Sequence, residues 1–297
     1  MTSVVTIGNF DGVHRGHLAL IERATTEAAR RDARAVAVTF DPHPAAVLRP
    51  DAVPAALQTL AERTAMLHER GCDEVVVVPF DRELAALEPA EFVDRLLVDR
   101  LSAELVIVGE NFRFGRGAAG DVAQLRELGE QRGFAVDAVG LIDLGDGPVS
   151  SSALRSLLAA GDLEAVARGL GRRFQVSGEV VAGEGRGRTI GIPTANVAVE
   201  EGRALPADGV YACLASAETL AEVPAVVNVG WRPTFDGTTR TVEAHLLVEG
   251  GPDLYGQVLT LEFVARIRGE QRFDGPEALV ARIHEDIAAA RELLGHA

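Results

Sequence analysis

Short, almost wholly apolar runs alternate with amphipathic stretches along the first half of the chain. Runs of this kind predict strands buried on both faces, and apolar residues at helical spacing between them predict helices. The predicted strands are VVTIGNF (4–10), AVAVTF (35–40), EVVVVPF (74–80), ELVIVG (104–109) and FAVDAVGLI (134–142). Regular alternation of strand and helix is typical of an α/β fold with a parallel sheet, in which ligands bind at the carboxyl ends of the strands.

The periodicity changes after a helical stretch at 151–171. Apolar segments then follow one another quickly, separated by turns that contain Gly or Pro, and this pattern predicts an antiparallel barrel or sandwich. The segments are FQVSGEVV, TANVAV, GVYACLA, PAVVNVG, TVEAHLLV and VLTLEFVARI. One helix closes the chain, with Pro276 in its first turn and an apolar stripe from Leu279 to Leu294. We therefore predict two domains, 1–171 and 172–297.

Length and composition limit the classes of protein to consider. A chain of 297 residues predicts two domains, with one large barrel as the alternative, and 47% hydrophobic residues supply ample core material. The formal net charge of -15 argues against nucleic acid or an anionic membrane as a partner, because both require basic surfaces. All 29 basic residues are arginine, so a Walker phosphate loop, which needs a lysine, is excluded.

Cysteine usage and the absence of long apolar runs indicate the compartment. Cys72 and Cys213 are the only cysteines, so neither a disulfide framework nor a thiolate zinc site is expected. No run approaches the ~18 apolar residues of a membrane span, and the N-terminus has no signal-peptide pattern. We expect a soluble cytoplasmic protein, and the sequence leaves its oligomeric state open, a homo-oligomer included.

The string TIGNFDGVHRGH places His14 and His17 between the first predicted strand and the first predicted helix. Free backbone N–H groups and the helix dipole favour an anion there, imidazole N–H groups can add to that preference, and Gly16 lets a bulky ligand come close. Two other interpretations stay open for an isolated HxxH: two polar residues at an ordinary helix start, or a metal site completed by His43 of FDPHP.

The longer string resembles the HxGH signature of the nucleotidyltransferase superfamily, in which both histidines contact a triphosphate. Stabilisation of the charge that builds on the α-phosphorus as pyrophosphate leaves is the chemistry such a site would provide. The chain has no lysines for the second signature of that superfamily. In its place VSSSALRSLL (149–158) puts hydroxyl groups and Arg155 at a helix start, which is another arrangement suited to anions.

From residue 4 to about 290 the chain resembles the bifunctional riboflavin kinase/FAD synthetase family of prokaryotes. Its motifs occur in the family's order. Those of the first half are TIGNFDGVHRGH, TFDPHP, GENFRFGRGAAG and VSSS..R, and those of the second half are GEGRGRTIGIPTANV, PADGVYA, NVGWRPTFDG, VEAHLL, DLYG and RIRGEQRF. The resemblance implies a Rossmann-like nucleotidyltransferase domain followed by a β-barrel riboflavin kinase domain with a C-terminal helix.

For the first domain, the resemblance implies that His14 and His17 hold the ATP phosphates and act in catalysis. The other residues that it assigns to the ATP and FMN site are Gly8, Phe10, Asp11, Gly16, Asn111, Ser151, Ser152 and Arg155.

For the second domain, the TAN triplet carries an argument of its own. In a strand, Thr194 and Asn196 project to the same face, so that a hydroxyl and an amide oxygen converge. Mg²⁺ prefers hard oxygen ligands and usually bridges substrate phosphates, so two neutral protein ligands would suffice. In the family that the chain resembles, these two residues serve MgATP. The resemblance adds Gly183, Gly185 and Gly191 to the same ATP site.

Glu243 lies in TVEAHLL, where Thr241, Glu243 and His245 alternate with apolar residues. Alone it would be a solvated strand glutamate. The resemblance implies that it is the general base that accepts the proton of the riboflavin 5′-hydroxyl during attack on the γ-phosphorus.

The resemblance implies a two-step enzyme of flavin cofactor biosynthesis. ATP and riboflavin would give FMN and ADP in the C-terminal domain, and ATP and FMN would give FAD and pyrophosphate in the N-terminal domain. Riboflavin, FMN and ATP would be the small-molecule partners, and both steps would use Mg²⁺. Two rivals remain at this stage: a nucleotidyltransferase whose barrel only binds or regulates, and a flavin- or nucleotide-sensing protein with inactive sites.

Overall fold

A computed structural model of the chain describes residues 1–145, 147–183, 187, 191–234, 237–248 and 253–295. At 232–234, 237–239 and 276 the description covers the backbone alone. Contacts divide the chain into two compact units, Met1–Ser151 and Ser152–Ala297, and each unit has its own hydrophobic core.

A parallel sheet forms the centre of the first unit. Its strands are β1 (Ser3–Ile7), β2 (Arg34–Asp41), β3 (Glu74–Pro79), β4 (Ala103–Gly109) and β5 (Ala135–Val139). They pair in the order β3-β2-β1-β4-β5, and every pair is parallel. Strand order therefore reverses beside β1, between β2 and β4, which is the place where open α/β sheets bind ligands. The predicted parallel sheet is confirmed.

The apolar runs are continuous because both faces of the sheet are covered. Val5 and Ile7 enter one core cluster, whereas Val4 enters a second cluster together with Leu20 and Ala24. Successive strand residues point to opposite faces, so a strand between two helical layers needs apolar side chains at every position.

The helices of the first unit occupy the connections between its strands. They are α1 (Arg15–Arg31), α2 (Pro44–Leu48), α3 (Leu60–Glu69), α4 (Arg82–Ala86), α5 (Pro89–Phe92), continued by a π-helical segment (Val93–Arg100), and α6 (Val122–Arg132), with 3₁₀ turns at Pro50–Ala52 and Arg116–Ala118. A reciprocal capping box fixes the start of α3: Thr59 Oγ1 accepts from the Glu62 N–H, and the Glu62 carboxylate accepts from the Thr59 N–H.

The stretch predicted as one helical segment at 151–171 contains two helices, α7 (Ser151–Ala160) and α8 (Leu163–Leu170). Gly161, with φ of 79°, ends the first helix. Asp162 then begins the second, because its Oδ1 accepts from the Ala165 N–H at 2.9 Å. The apolar spacing that continues across the break describes two helices that bury the same side.

A closed antiparallel barrel forms the second unit. Its strands are β6 (Phe174–Val181), β7 (Ala195–Ala198), β8 (Gly209–Ala217), β9 (Leu220–Thr234), β10 (Gly237–Leu246) and β11 (Val258–Arg268). They close in the order β10-β7-β6-β11-β8-β9. The predicted barrel is therefore confirmed, and so is the helix that follows it, α9 (Pro276–Leu293).

The last helix is joined to the barrel by an apolar contact and an ion pair. Ala290 is fully buried with Val210, Ala212 and Val226 of the barrel wall. Arg268 of β11 donates through Nε and Nη2 to the carboxylate of Asp286, which is 2% exposed.

Among the residues that the structure describes, no helix has both the length and the apolar composition that a bilayer span requires.

Candidate functional site

In the first unit, the connection between β1 and α1 forms a tight loop held by buried apolar side chains. Phe10 and Val13 have φ of 48° and 35°, which non-glycine residues seldom adopt. Both side chains are fully buried in a cluster that includes Ile21, Leu67 and Cys72. Burial of the two side chains holds this backbone in place, and strain of this kind is concentrated at binding and catalytic sites.

His14 and His17 lie together at the start of α1. Their rings stack with centroids 3.6 Å apart. The His17 ring also makes an edge-to-face contact with the Phe10 ring, with centroids 5.1 Å apart. His14 is the N-cap, and its Nδ1 accepts from the His17 N–H at 3.3 Å. A neutral His14 ring therefore carries its proton on Nε2, which makes Nε2 the donor nitrogen of the ring. The first turn of α1 contains no acidic residue, so no carboxylate within that turn offsets the positive helix end.

Glycine at position 16 allows this packing. A Cβ at Gly16 would stand 3.1 Å from Cε1 and 3.2 Å from Nδ1 of His14, tighter than most van der Waals contacts. The HxGH spacing thus has a steric reason in this fold, because the ring of the first histidine occupies the space beside the glycine.

The pKa of His17 is held well below its ordinary value. Burial is the largest cause, followed by repulsion from His14 and then from Arg63. Its Nδ1 is buried without a hydrogen-bond partner. His17 is therefore neutral at physiological pH, and one of its ring nitrogens has an unused hydrogen-bonding capacity.

Asp11 ties the loop to the segment before α3. Its carboxylate, 3% exposed, accepts from the N–H groups of Leu57 at 2.8 Å and Gln58 at 3.2 Å. Its carbonyl accepts from the Ser151 hydroxyl at 2.8 Å. The contacts of Asp11 and Ser151 thus hold the loop in shape.

Asn111 follows β4 and is exposed, next to Gly109, where a Cβ would stand 3.0 Å from the Asn111 Oδ1. Gly8 follows β1, and its N–H donates to Val38 of β2. Since β1 and β4 are parallel neighbours, both residues lie at the same sheet edge, where the strand order reverses.

The remaining predicted residues of this site are in the first turns of α7. Ser152 is exposed and Arg155 is half-buried, and both belong to the second unit. Their part in the nucleotide site stays a prediction.

Arg63 of α3 is a residue that sequence reasoning missed. It is 6% exposed, and its guanidinium donates to the carbonyls of Asn9 and Phe40. The available signal was its spacing of four from the buried Leu67, which puts a charge on the inner stripe of the helix.

The alternative metal site is not formed. His43 caps α2, its Nδ1 accepting from the Ala45 N–H at 3.1 Å, and its Nε2 lies 3.5 Å from the Asn9 amide. Across the described part of the chain, no group of three or more His, Cys, Asp or Glu side chains could hold a metal ion.

In the second unit, strand register aligns three polar side chains. Asn196 of β7 lies opposite Glu243 of β10, which lies opposite Asn228 of β9. Directly paired residues share a face of the sheet, so the three side chains form one row. Their sequence neighbours on the strands are buried: Val197, Val227, Val229, Val242 and Ala244. The row therefore lies on the outer face of the barrel wall. Sequence reasoning placed Asn228 near a flavin site without assigning it.

The glycine-rich segment passes close to the TAN triplet. A Cβ at Gly183 would overlap the side-chain amide of Asn196, and a Cβ at Gly187 would stand 3.3 Å from Oγ1 of Thr194. The sequence predicted that Thr194 lies inside a strand, and this prediction is wrong, because Thr194 lies one residue before β7. Its hydroxyl and the Asn196 amide oxygen are donors of the type that Mg²⁺ takes.

Two contacts hold the approach to this triplet. The Ile192 N–H donates to Gly187, and Gly191 turns the chain with φ of 77°. His245 Nδ1 lies 2.8 Å from the Pro193 carbonyl, which ties the segment to β10 two residues after Glu243. The predicted site residue Gly185 lies outside the described residues.

Comparison with known proteins covers both units. A family model described as FAD synthetase matches residues 1–153, and one described as riboflavin kinase matches residues 170–294. Bifunctional riboflavin kinase/FMN adenylyltransferases from Escherichia coli (strain K12) and Pseudomonas fluorescens are 40% and 41% identical over 292 residues, with 98% of this chain covered and 93% and 92% of the relatives. The Bacillus subtilis enzyme of the same name is 33% identical over 290 residues, covering 96% of this chain and 90% of the relative.

A solved structure from Streptococcus pneumoniae, described as that of a macrolide-efflux protein, has the same architecture over nearly the whole chain. It is 28% identical with a TM-score of 0.88, covering 98% of this chain and 94% of that one.

Proposed function

Since the chain belongs to the family of bifunctional riboflavin kinase/FMN adenylyltransferases, we propose a division of its two reactions between its two units. The enzyme phosphorylates riboflavin to FMN with ATP and then adenylylates FMN to FAD with release of pyrophosphate. ATP, riboflavin and FMN are thus its small-molecule substrates.

We assign adenylyl transfer to residues 1–171 and phosphorylation to residues 172–297. The first family model ends at residue 153, the second begins at residue 170, and the contact boundary falls after Ser151. We place α7 and α8, which lie almost wholly between the two family models, in the first assignment.

In adenylyl transfer, an oxygen of the FMN phosphate attacks the α-phosphorus of ATP, and the bond to the β-phosphate breaks as pyrophosphate leaves. Charge builds on the transferred and leaving phosphates, and donors fixed beforehand lower the barrier. His14, through Nε2–H, and a neutral His17 are such donors at a positive helix end. The rest of the proposed site consists of Gly8, Phe10, Asp11, Gly16, Asn111, Ser151, Ser152 and Arg155.

In phosphorylation, the riboflavin 5′-oxygen attacks the γ-phosphorus of ATP, the bond from that phosphorus to the β–γ bridging oxygen breaks as ADP leaves, and the hydroxyl proton passes to the Glu243 carboxylate. Thr194 and Asn196 would hold Mg²⁺, which neutralises charge on the ATP phosphates when bound. This assignment is supported by the strand register, which sets Asn196 opposite Glu243. The residue proposed to hold the metal nucleotide thus lies beside the proposed proton acceptor. Gly183, Gly185 and Gly191 complete the proposed ATP site.

Charge and cysteine usage support the proposals on partners and compartment. The formal net charge of -15 supports small molecules rather than nucleic acid or an anionic membrane as partners. Cys72 and Cys213 are both free, as is usual in a reducing compartment, and we propose a cytoplasmic enzyme.

The pairing of Asn196 with Glu243 and the stacking of His14 on His17 carry the division of labour, and one pair of variants tests it. Products of riboflavin and MgATP are separated by chromatography, and FAD formation is also assayed from supplied FMN. We expect His17→Ala to lower FAD formation by about 10²–10³-fold and to keep FMN formation. Glu243→Gln should lower FMN formation by about 10²–10⁴-fold and keep FAD formation from FMN.

Matched controls are His284→Ala and Glu222→Gln, which change exposed residues of the same types on α9 and β9. Both should keep both activities. Loss of both activities in His17→Ala or in Glu243→Gln, with the fold intact by circular dichroism, would contradict the division.

A further inference from the structure

Arg63 links the ends of two central strands directly beneath the histidine loop. Its Nη1 donates to the Asn9 carbonyl at 2.7 Å, just after β1, and its Nη2 donates to the Phe40 carbonyl at 3.2 Å, in β2. The side chain is 6% exposed. A planar guanidinium can hold two carbonyls at once, which a lysine ammonium does less well.

The carbonyl of Asn9 is a sensitive point of the loop. It immediately precedes Phe10, where φ becomes positive, and it accepts a second hydrogen bond from the Thr39 hydroxyl at 3.1 Å. Two donors, one from α3 and one from β2, therefore fix the peptide from which the histidine loop departs. Release of either donor would let the strained peptide relax.

Arg63 also brings a permanent charge to this point. Among the described residues, the charged groups that act on Arg63 are Asp11 and Asp41. The groups that act on His17 are His14 and Arg63. Burial lowers the pKa of Arg63, but a guanidinium stays protonated in proteins, so the charge persists. Repulsion by that charge is one cause of the lowered pKa of His17.

We propose that Arg63 is a positioning residue for adenylyl transfer, fixing the peptide between β1 and the histidine loop and placing a permanent positive charge beneath it. The inference rests on the proposed assignment of adenylyl transfer to His14 and His17. Arg63 contacts backbone carbonyls and not substrate, so it acts through the loop. The charge favours anionic phosphates at the loop and keeps His17 neutral as a donor.

The test compares two variants of Arg63. Arg63→Met removes both the positive charge and the planar guanidinium that holds two carbonyls, whereas Arg63→Lys keeps the charge. Arg70→Met is the control, because Arg70 is an exposed residue at the end of the same helix. The full chain is assayed for FAD from FMN and MgATP, and FMN formation from riboflavin serves as an internal check. The pKa of His17 is measured by NMR from the pH dependence of the chemical shifts of its ring protons. These signals are identified by their absence in His17→Ala.

We expect Arg63→Met to lower kcat for FAD formation by about 10²-fold, the scale for a catalytic group displaced by about 1 Å, and to raise the pKa of His17. Arg63→Lys should recover kcat to within about tenfold of the unmodified protein and keep the His17 titration unshifted. Arg70→Met should change neither quantity, and FMN formation should be unchanged in all three proteins.

An unchanged kcat in Arg63→Met overturns the inference. So does an Arg63→Lys protein that matches Arg63→Met in both rate and titration, since Arg63 would then only fill space. If Arg63→Met does not fold, Arg63→Lys decides: an upward shift of the His17 titration in that variant overturns the inference. Failure of the proposed function has a separate signature, namely full FAD formation by His17→Ala whatever the Arg63 variants do.

Discussion

The two units of this enzyme build their proposed sites in different ways. In the first, the proposed site lies in a connection, where Phe10 and Val13 have positive φ and their buried side chains hold the backbone. In the second, the proposed site lies on strands, where Asn196 and Glu243 face each other because of register. A loop site depends on its anchors, whereas a register site depends on the integrity of the sheet.

The difference extends to the glycines beside each site. Gly16 leaves room for an aromatic ring, which a Cβ would crowd but not overlap. Gly183 leaves room for the Asn196 amide, which a Cβ would overlap. The loop site therefore has some tolerance, and the barrel site has less.

The largest effect should come from breaking the ion pair that joins α9 to the barrel. Asp286→Ala leaves the Arg268 guanidinium without its buried partner, so we expect a loss of about 3–5 kcal/mol in the free energy of unfolding of the second unit. Kinase activity should be lost at lower temperature, because register is lost with the barrel. Thermal inactivation of FMN formation and chemical denaturation measure the effect.

The control for this change is Glu164→Ala, which removes an exposed i,i+4 ion pair with Arg168 on α8. It should cost at most about 0.5 kcal/mol. Equal destabilisation by Glu164→Ala and Asp286→Ala would show that burial of the pair does not matter.

Much of the fold could be predicted from the sequence, because periodicity is a local property. For the run at β1 and for the strand FQVSGEVV of β6, the order of apolar and polar residues is enough to predict which positions are buried. The break at Gly161 was missed because apolar spacing continues across it, although a left-handed glycine followed by the N-cap Asp162 marks the boundary.

Part of the candidate site could be located from the sequence, because a local motif brings its residues together. The histidine pair needs only α1 and the loop before it. Arg63 and Asn228 were not assigned because their meaning depends on partners distant in sequence: Arg63 lies 54 positions from Asn9, and Asn228 acquires its place only through pairing with Glu243. Helical or strand spacing contains no information about such partners.

A smaller effect is expected where a Cβ is forced into the register site. Gly183→Ala should displace the Asn196 amide and lower kinase kcat by about 10²-fold, since misplacement of a positioning group by about 1 Å has that scale. FAD formation from FMN should be unchanged. Steady-state assays of both reactions on one preparation measure this.

For comparison, Gly275→Ala adds a Cβ where no atom lies within 4 Å and should keep kinase activity. A Gly183→Ala protein with normal kinase activity would show that the Asn196 amide need not stay beside Gly183.

The smallest effect is expected for chemical labelling of the two buried thiols, one in each unit. Burial, aided by Asp73, raises the pKa of Cys72 to about 11, and burial raises that of Cys213 well above its ordinary value. At pH 8 only about one Cys72 in a thousand is a thiolate, and thiolate is the reactive form. We expect almost no labelling of either cysteine by a chromogenic disulfide reagent in the folded protein, with full labelling after denaturation.

Peptide mapping by mass spectrometry separates the two sites, so each thiol reports the opening of its own unit. Cys72 packs with Phe10 and Val13, which anchor the histidine loop, and Cys213 lies in the wall of the barrel. In Asp286→Ala, labelling of Cys213 should accelerate while that of Cys72 stays at its original rate, because the lost ion pair supports only the barrel. Equal acceleration at both thiols would mean that the units open together, and the contrast between a loop site and a register site would then not extend to stability.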